Sequence, residues 1–311
     1  MSPAIASPAQ AVAGVGSTTI LATYELRGGK VLTHFADAEG IGWAVVKPGT
    51  VITTEEIAIA DGPVNALAIR PPEPITDQEA RAAIAQLRNS GWTEQVQLEL
   101  LDLVSSGVSP LRAIDLVEPS RVAASSSSDP TDLDSTAFHD DCAERKTGTI
   151  EATGCFARKW GDETDTHRYI GAETWGLGWS TTHEARRLRT VTVAHSYANG
   201  GIVKLNPLTG RPIGSCTSAG IQLGGHGVEL KLEHQICPTE IYVTLAQDRQ
   251  LYGVDWRGSV YDVGEQRASE LLEIMKRPNG TGTSGYTFHL FARAEPVCDE
   301  CNSFPGIKLL P

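Results

Sequence analysis

The chain is poor in aromatic residues and nearly devoid of methionine. Aromatics make up 6% of its 311 positions and methionine occurs twice. Its cores must therefore be built from Val, Leu, Ile and Ala. No run approaches the roughly 20 apolar residues of a membrane-spanning helix, so no transmembrane segment is expected. A basic excess is also missing. Lys and Arg number 26 against 38 Asp and Glu, a net charge of −12. A nucleic-acid binder normally carries a basic patch or stripe, so no nucleic-acid partner is expected. The acidic residues are spread along the chain and read as a solubilising surface. Cysteine is absent from the first 141 residues.

Signatures of catalysis are equally scarce. No His-Glu-x-x-His spacing occurs. No Gly-x-Ser-x-Gly stands at a strand-to-helix elbow, and Ser215 and Ser284 read as turn serines. Gly224-Gly225-His226-Gly227 precedes a strand rather than a helix, so it is not a phosphate loop. Asp140/Asp141 and Asp162/Glu163 are adjacent pairs and read as surface acids. No metal site and no cofactor are expected.

What is present is strand pattern. Val191, Val193 and His195 alternate, as do Ile241, Val243 and Leu245. From His226 to His234, apolar residues and histidines take one face while Glu229, Lys231 and Glu233 take the other. Period-two alternation marks half-buried antiparallel strands. In the first half, Ile20–Leu26, Lys30–Phe35, Ile41–Val46, Val51–Ile59 and Val64–Ile69 read as short strands. Gly28-Gly29 and Pro48-Gly49 supply hairpin-type turns, the second pairing Ile41–Val46 with Val51–Ile59. Three helices follow. Thr76 with Glu79 has capping-box spacing, and Gly91 ends the helix. Thr93 caps a second helix with stripe Val96, Leu100, Leu103, Val104, closed by Gly107. Ser109-Pro110 opens a third, with Leu111, Ile114 and Leu116 inward. Later, Glu265–Lys276 reads as one more helix, with Ala268, Leu271, Leu272 and Met275 on its apolar face.

Residues 123–135 are Ser- and Asp-rich and lack the apolar content to fold. All six cysteines lie beyond them. The expected fold is therefore mainly β: a small α+β domain at 18–122, a linker at 123–135, and a disulfide-bearing antiparallel β-sandwich at 136–311. Residues 1–17 read as an unstructured tail. Ser7–Gly14 has the small alternating residues of a signal-peptide cleavage region, without the basic and apolar segments that precede one.

The cysteines fall in neighbouring pairs, Cys142/Cys155, Cys216/Cys237 and Cys298/Cys301. Six cysteines allow 15 pairings; nearest-neighbour bonding is the simplest. Disulfides imply an extracytoplasmic or secreted protein. Cys298-Asp-Glu-Cys301 has redox spacing, but no helix follows to activate a thiol, so a structural bond is expected. Abundant Ala and Gly, with Arg exceeding Lys, point to a GC-rich bacterial source. Asn279-Gly-Thr281 is a glycosylation sequon. His226 and His234 share a face but lie more than about 25 Å apart at 3.3 Å per residue, too far to share an ion. His195 and His234 remain a pair that neighbouring strands would bring together.

The densest aromatic stretch holds Trp160, Tyr169, Trp175 and Trp179, interrupted by Gly161, Gly171, Gly176 and Gly178. Parts of it read as loop at a sandwich end, where binding residues concentrate; the competing reading is that Trp175 or Trp179 anchors the sandwich core. Aromatic faces there would stack on a saccharide or a protein. The expected function is thus a secreted, non-catalytic binding protein of unknown ligand. The alternative is a secreted hydrolase whose His and acidic residues converge only in the fold.

Overall fold

The computed structural model describes residues 18–59, 62–73, 76–118, 137–164, 166–182, 186–197, 201–206, 217–225, 228–236, 241–246, 251–260, 262–279 and 285–296. The chain forms five strands, β1 (Thr19–Glu25), β2 (Val31–Ala36), β3 (Ile41–Val46), β4 (Val51–Ile59) and β5 (Gly62–Arg70). Three helices follow, α1 (Asp77–Ser90), α2 (Glu94–Ser105) and α3 (Pro110–Val117). Then come β6 (Ala137–Thr147), β7 (Ile150–Glu163), β8 (His167–Ser180), β9 (Arg186–Tyr197), β10 (Gly201–Asn206) and β11 (Thr217–Gly225). The last are β12 (Val228–Ile236), β13 (Ile241–Ala246), β14 (Leu251–Val260), β15 (Arg267–Pro278) and β16 (Tyr286–Pro296).

The strands build two large antiparallel sheets. One runs β1-β2-β3-β6-β7-β8-β15-β10, the other β13-β14-β9-β16-β5-β4, and β11-β12 form a separate hairpin. The two sheets face each other across a shared core that includes Phe35, Leu67, Phe156, Val193, Leu271, Met275 and Phe288. Glycines let the layers approach. A Cβ on Gly176 would stand 2.7 Å from side-chain carbons of both Leu290 and Val193, and one on Gly178 2.7 Å from Val191. Even-numbered β8 residues therefore point between the sheets, and odd-numbered ones point away.

Both sheets cross the expected boundary. Ile41 to Val45 of β3 pair with Lys146 to Cys142 of β6, and Leu67 to Ile69 of β5 pair with Leu290 to Phe288 of β16. The segments 18–122 and 136–311 thus share two sheets and one core instead of holding separate ones; residues 123–135 lie outside those described. Nor do β3 and β4 form the expected hairpin. The turn at Pro48-Gly49, with Gly49 at φ 85°, carries the chain from one sheet to the other.

The caps of α1 and α2 follow the sequence. Thr76 and Glu79 form the full capping box, Gly91 adopts φ 71°, and the Thr93 hydroxyl accepts from the Val96 N–H. Helices α2 and α3 cover the outer face of β2, β3, β6 and β7, where Leu100, Leu101, Val104, Ala113, Ile114 and Val117 meet Leu32, Val45, Cys142 and Cys155. In α3 the inward residues are Ala113, Ile114 and Val117, whereas Leu111 and Leu116 are exposed, contrary to the sequence reading.

The expected helix at Glu265–Lys276 is strand β15, hydrogen-bonded to both β8 and β10. Its apolar residues fit a helical stripe only because a central strand buries both faces; Ser269 to Met275 are all buried. A short apolar run does not separate the two possibilities by period. Strand β14 pairs with β9 along its length, with a register shift between Arg257 and Val260.

Candidate functional site

Cys142 and Cys155 form a disulfide between directly opposed positions of β6 and β7, with Cα atoms 4.1 Å apart. Both sulfurs lie beneath α2 in the outer core. Cys216, Cys237, Cys298 and Cys301 fall outside the described residues, as do His183, His226, Ser215 and Ser284.

The aromatic stretch lies on strands, not loops. Trp160 is in β7, and Tyr169, Trp175 and Trp179 are in β8. Gly171, Gly176 and Gly178 sit within β8, and the last two serve sheet packing. By the parity of β8, Tyr169, Trp175 and Trp179 share the face turned away from the second sheet. Their cross-strand neighbours are Lys276 for Tyr169, Cys155 and Glu270 for Trp175, and Glu151 for Trp179. All three rings are partly buried, and Trp175 packs beside the disulfide. Trp160 does not join them. It stands opposite Ile170, an inward residue, edge-on to Phe138 at 5.6 Å and with the Arg168 guanidinium 3.8 Å from its ring centre.

Carboxylates accompany the outer row. Lys159 Nζ lies 2.6 Å from Glu173 Oε2, between Tyr169 and Trp175 along the same face. Burial pushes the Glu270 carboxyl up to about 8, and the charges of Glu173 and Glu94 push the same way. Glu144 is likewise raised to about 8, first by burial and further by Glu151 and Asp102. At neutral pH Glu270, beside Trp175, is therefore largely protonated, a hydrogen-bond donor next to an aromatic ring.

The second chemical grouping is interior. His195 Nδ1 lies 2.5 Å from Glu273 Oε1, and its Nε2 bonds the Thr174 hydroxyl. Thr174 also reaches the Tyr286 hydroxyl at 3.4 Å. Thr174 and Glu273 belong to one sheet, His195 and Tyr286 to the other. With Nδ1–H donating to the carboxylate, Nε2 accepts the threonine proton; this is the nucleophile, base and carboxylate order of a hydrolytic triad. Yet all four residues have 0% exposure. Burial, then the Glu273 charge, raises the Tyr286 hydroxyl well above its ordinary range. His289 nearby is held down to about 3, by burial first and then by His195 and Arg70.

His195 and His234 do not lie on neighbouring strands. The His195 strand, β9, lies between β14 and β16, whereas β12 pairs with β11. His139 instead bonds Asp141, Nε2 to Oδ2 at 2.6 Å, and Lys30 Nζ lies 3.6 Å from Asp141 Oδ1. Asp140 and Asp141 are thus buried, not surface acids. Among the described residues, no group of three or more His, Cys, Asp or Glu is placed to hold a metal ion, and no helix is long and apolar enough to cross a membrane. A small cavity of about 10 Å³ lies by Arg145, Ile150 and Leu290, room for one water at most.

Sequence reasoning missed Thr174, Glu273 and Tyr286. The usable signal was a charged residue inside the apolar run Leu271-Leu272-Glu273-Ile274-Met275. Read as a helix, that run placed Glu273 at the surface. No protein-family model matches the chain, and the comparison with curated proteins finds no match.

Proposed function

We propose that this is a secreted, non-catalytic binding protein whose ligand, a saccharide or a protein segment, lies along the outer face of β8. One observation carries the reading: Tyr169, Trp175 and Trp179 stand in one row on a rigid strand, partly exposed, with Glu173 between them. Aromatic faces supply apolar contact and carboxyl groups supply hydrogen bonds, the combination that saccharide recognition uses. A site on a central strand is held more firmly than one on a loop. The Cys142–Cys155 bond supports an oxidising compartment.

Binding to glycan and peptide arrays tests the proposal. Trp175→Ala and Trp179→Ala should each weaken capture at least tenfold, while Trp160→Ala, on the opposite face, should not. Equal capture by all three variants would refute it. The hydrolase reading rests on the Thr174–His195–Glu273 bonds. It is the weaker one because a substrate has no exposed atom of the trio to approach. Turnover in a broad hydrolase panel, abolished by His195→Ala in a variant that remains folded, would reinstate it.

A further inference from the structure

We propose that Lys159 and Glu173 join their side chains in an intramolecular amide bond, formed by the folded chain itself, that staples β7 to β8. The bond does not rest on the ligand reading, since its carbonyl would still accept hydrogen bonds at the place of Glu173. Lys159 Nζ lies 2.6 Å from Glu173 Oε2, with the two side chains 2% and 17% exposed. The register explains the approach. Gly171 stands opposite Lys159, and Ala157 opposite Glu173. The pair is therefore diagonal, and no side chain on Gly171 blocks the lysine stem. On the other side, Leu272 and Ile274 of β15 stand opposite Glu173 and Gly171. Both have 0% exposure, so the pair borders a part of the outer face that is closed to water.

A buried ion pair is stable as charges only when further hydrogen bonds satisfy what the partner leaves open. Lys30 shows that completed case. Its Nζ bonds the Gln97 side chain at 3.0 Å and the Asp140 carbonyl, and lies 3.6 Å from Asp141. The Lys159–Glu173 pair has no such support among the described residues. Lys159 Nζ donates to Glu173 Oε2, and Glu173 Oε1 is buried with no hydrogen-bond partner. Condensation removes both charges at once. Nζ passes one proton to Glu173, which leaves a neutral amine against a neutral carboxyl. The nitrogen lone pair attacks Cδ, and the Nζ–Cδ bond forms. A second proton moves from nitrogen to the protonated oxygen. The Cδ–O bond then breaks with its electron pair on that oxygen, and water departs. The third ammonium proton stays on the amide nitrogen, so the step needs no oxidant, reductant or outside proton. Fixed contact supplies the effective concentration that a free amine and carboxylate lack, and a site poor in water disfavours the reverse hydrolysis. Glu270 lies opposite Trp175, one diagonal step beyond Glu173 on the same face. Burial, then the Glu173 charge, keeps its carboxyl protonated at neutral pH. An acid so placed lends a proton to the departing oxygen and takes one back from the nitrogen.

Intact mass of the full chain, after folding and then denaturation, reduction and alkylation, tests the bond. The expected mass is one water below that of the alkylated sequence, counted from the N-terminus actually present. Trypsin should then release residues 159–168 and 169–186 as one branched peptide, uncut after Lys159 and carrying two N-termini, at Lys159 and Tyr169. A wild-type chain at its full sequence mass overturns the proposal. So does a water loss that persists in folded Lys159→Arg, which keeps the charge and cannot close the bond; a succinimide at Asp61-Gly62 would behave in that way. Should Lys159→Arg fail to fold, Glu173→Gln decides. Loss of ammonia in place of water, or no loss at all, supports the bond, whereas a persisting loss of water overturns it.

Discussion

Replacing Asp37 should destabilise the protein more than any other single change at that end of the fold. Asp37 follows β2, and its side chain has no solvent exposure. Its Oδ2 accepts from Arg145 Nη1 of β6 at 3.1 Å and from the Thr54 hydroxyl of β4 at 2.5 Å. Its Oδ1 accepts from the N–H groups of Glu39 and Gly40 at 2.9 and 2.8 Å. One carboxylate thus ties two strands of opposite sheets. Asp37→Ala leaves the Arg145 guanidinium, 5% exposed, with the Asn65 carbonyl as its remaining acceptor at 3.1 Å. Breaking a buried pair by removing one partner costs about 3–5 kcal/mol. Thr54→Val removes a single donor and should cost about 1–2 kcal/mol. The loss should depend on pH. Burial alone would raise the Asp37 pKa, but the Thr54 bond, the Arg145 charge and the two N–H groups together hold it below its ordinary 3.8. A lowered folded-state pKa contributes stability above the unfolded value, and that stability is lost as pH falls through the folded one. Urea denaturation at pH 7 and again near pH 2 measures both effects. The difference between wild type and Asp37→Ala should be largest at pH 7 and shrink in acid. An Asp37→Ala loss no larger than that of Thr54→Val, or one independent of pH, would refute the reasoning.

Three further outcomes follow from other parts of the fold. Glu270 is raised to about 8 in the folded chain against 4.5 when free. Its sign is therefore opposite to that of Asp37: stability should fall as pH rises from about 4.5 to 8, and Glu270→Gln should flatten urea midpoints across that window. Gly176→Val should lower stability by about 1–3 kcal/mol through overpacking against Leu290 and Val193, read as a lower melting temperature. Reducing Cys142–Cys155, which closes a separation of 13 residues, should cost about 3 kcal/mol in urea denaturation, and the buried bond should resist mild reductant until the chain unfolds.

Much of this protein was legible from local pattern. The strand alternation of 191–195 and 241–245, the caps at Thr76 and Thr93, and Pro110 at the start of α3 depend on neighbours within a few residues. Local backbone chemistry decides them without reference to the rest of the chain. The bond between Cys142 and Cys155 was legible for the same reason, since a short hairpin brings its two sides into register. Partnership between distant strands was not. That β3 crosses to β6, that β5 closes on β16, and that Pro48-Gly49 switches sheets instead of turning a hairpin are choices among many strand pairings that local pattern leaves equal. They are made by the burial of faces far apart in sequence. The misread β15 shows the same limit: apolar on both faces, it announces burial without a period. The triad of Thr174, His195 and Glu273, the meeting of Lys159 with Glu173, and the separation of Trp160 from Trp175 all arise from register and from the facing of two sheets. Local order along the chain was set by the sequence; which polar groups meet in the interior was decided by the packing of one sheet upon the other.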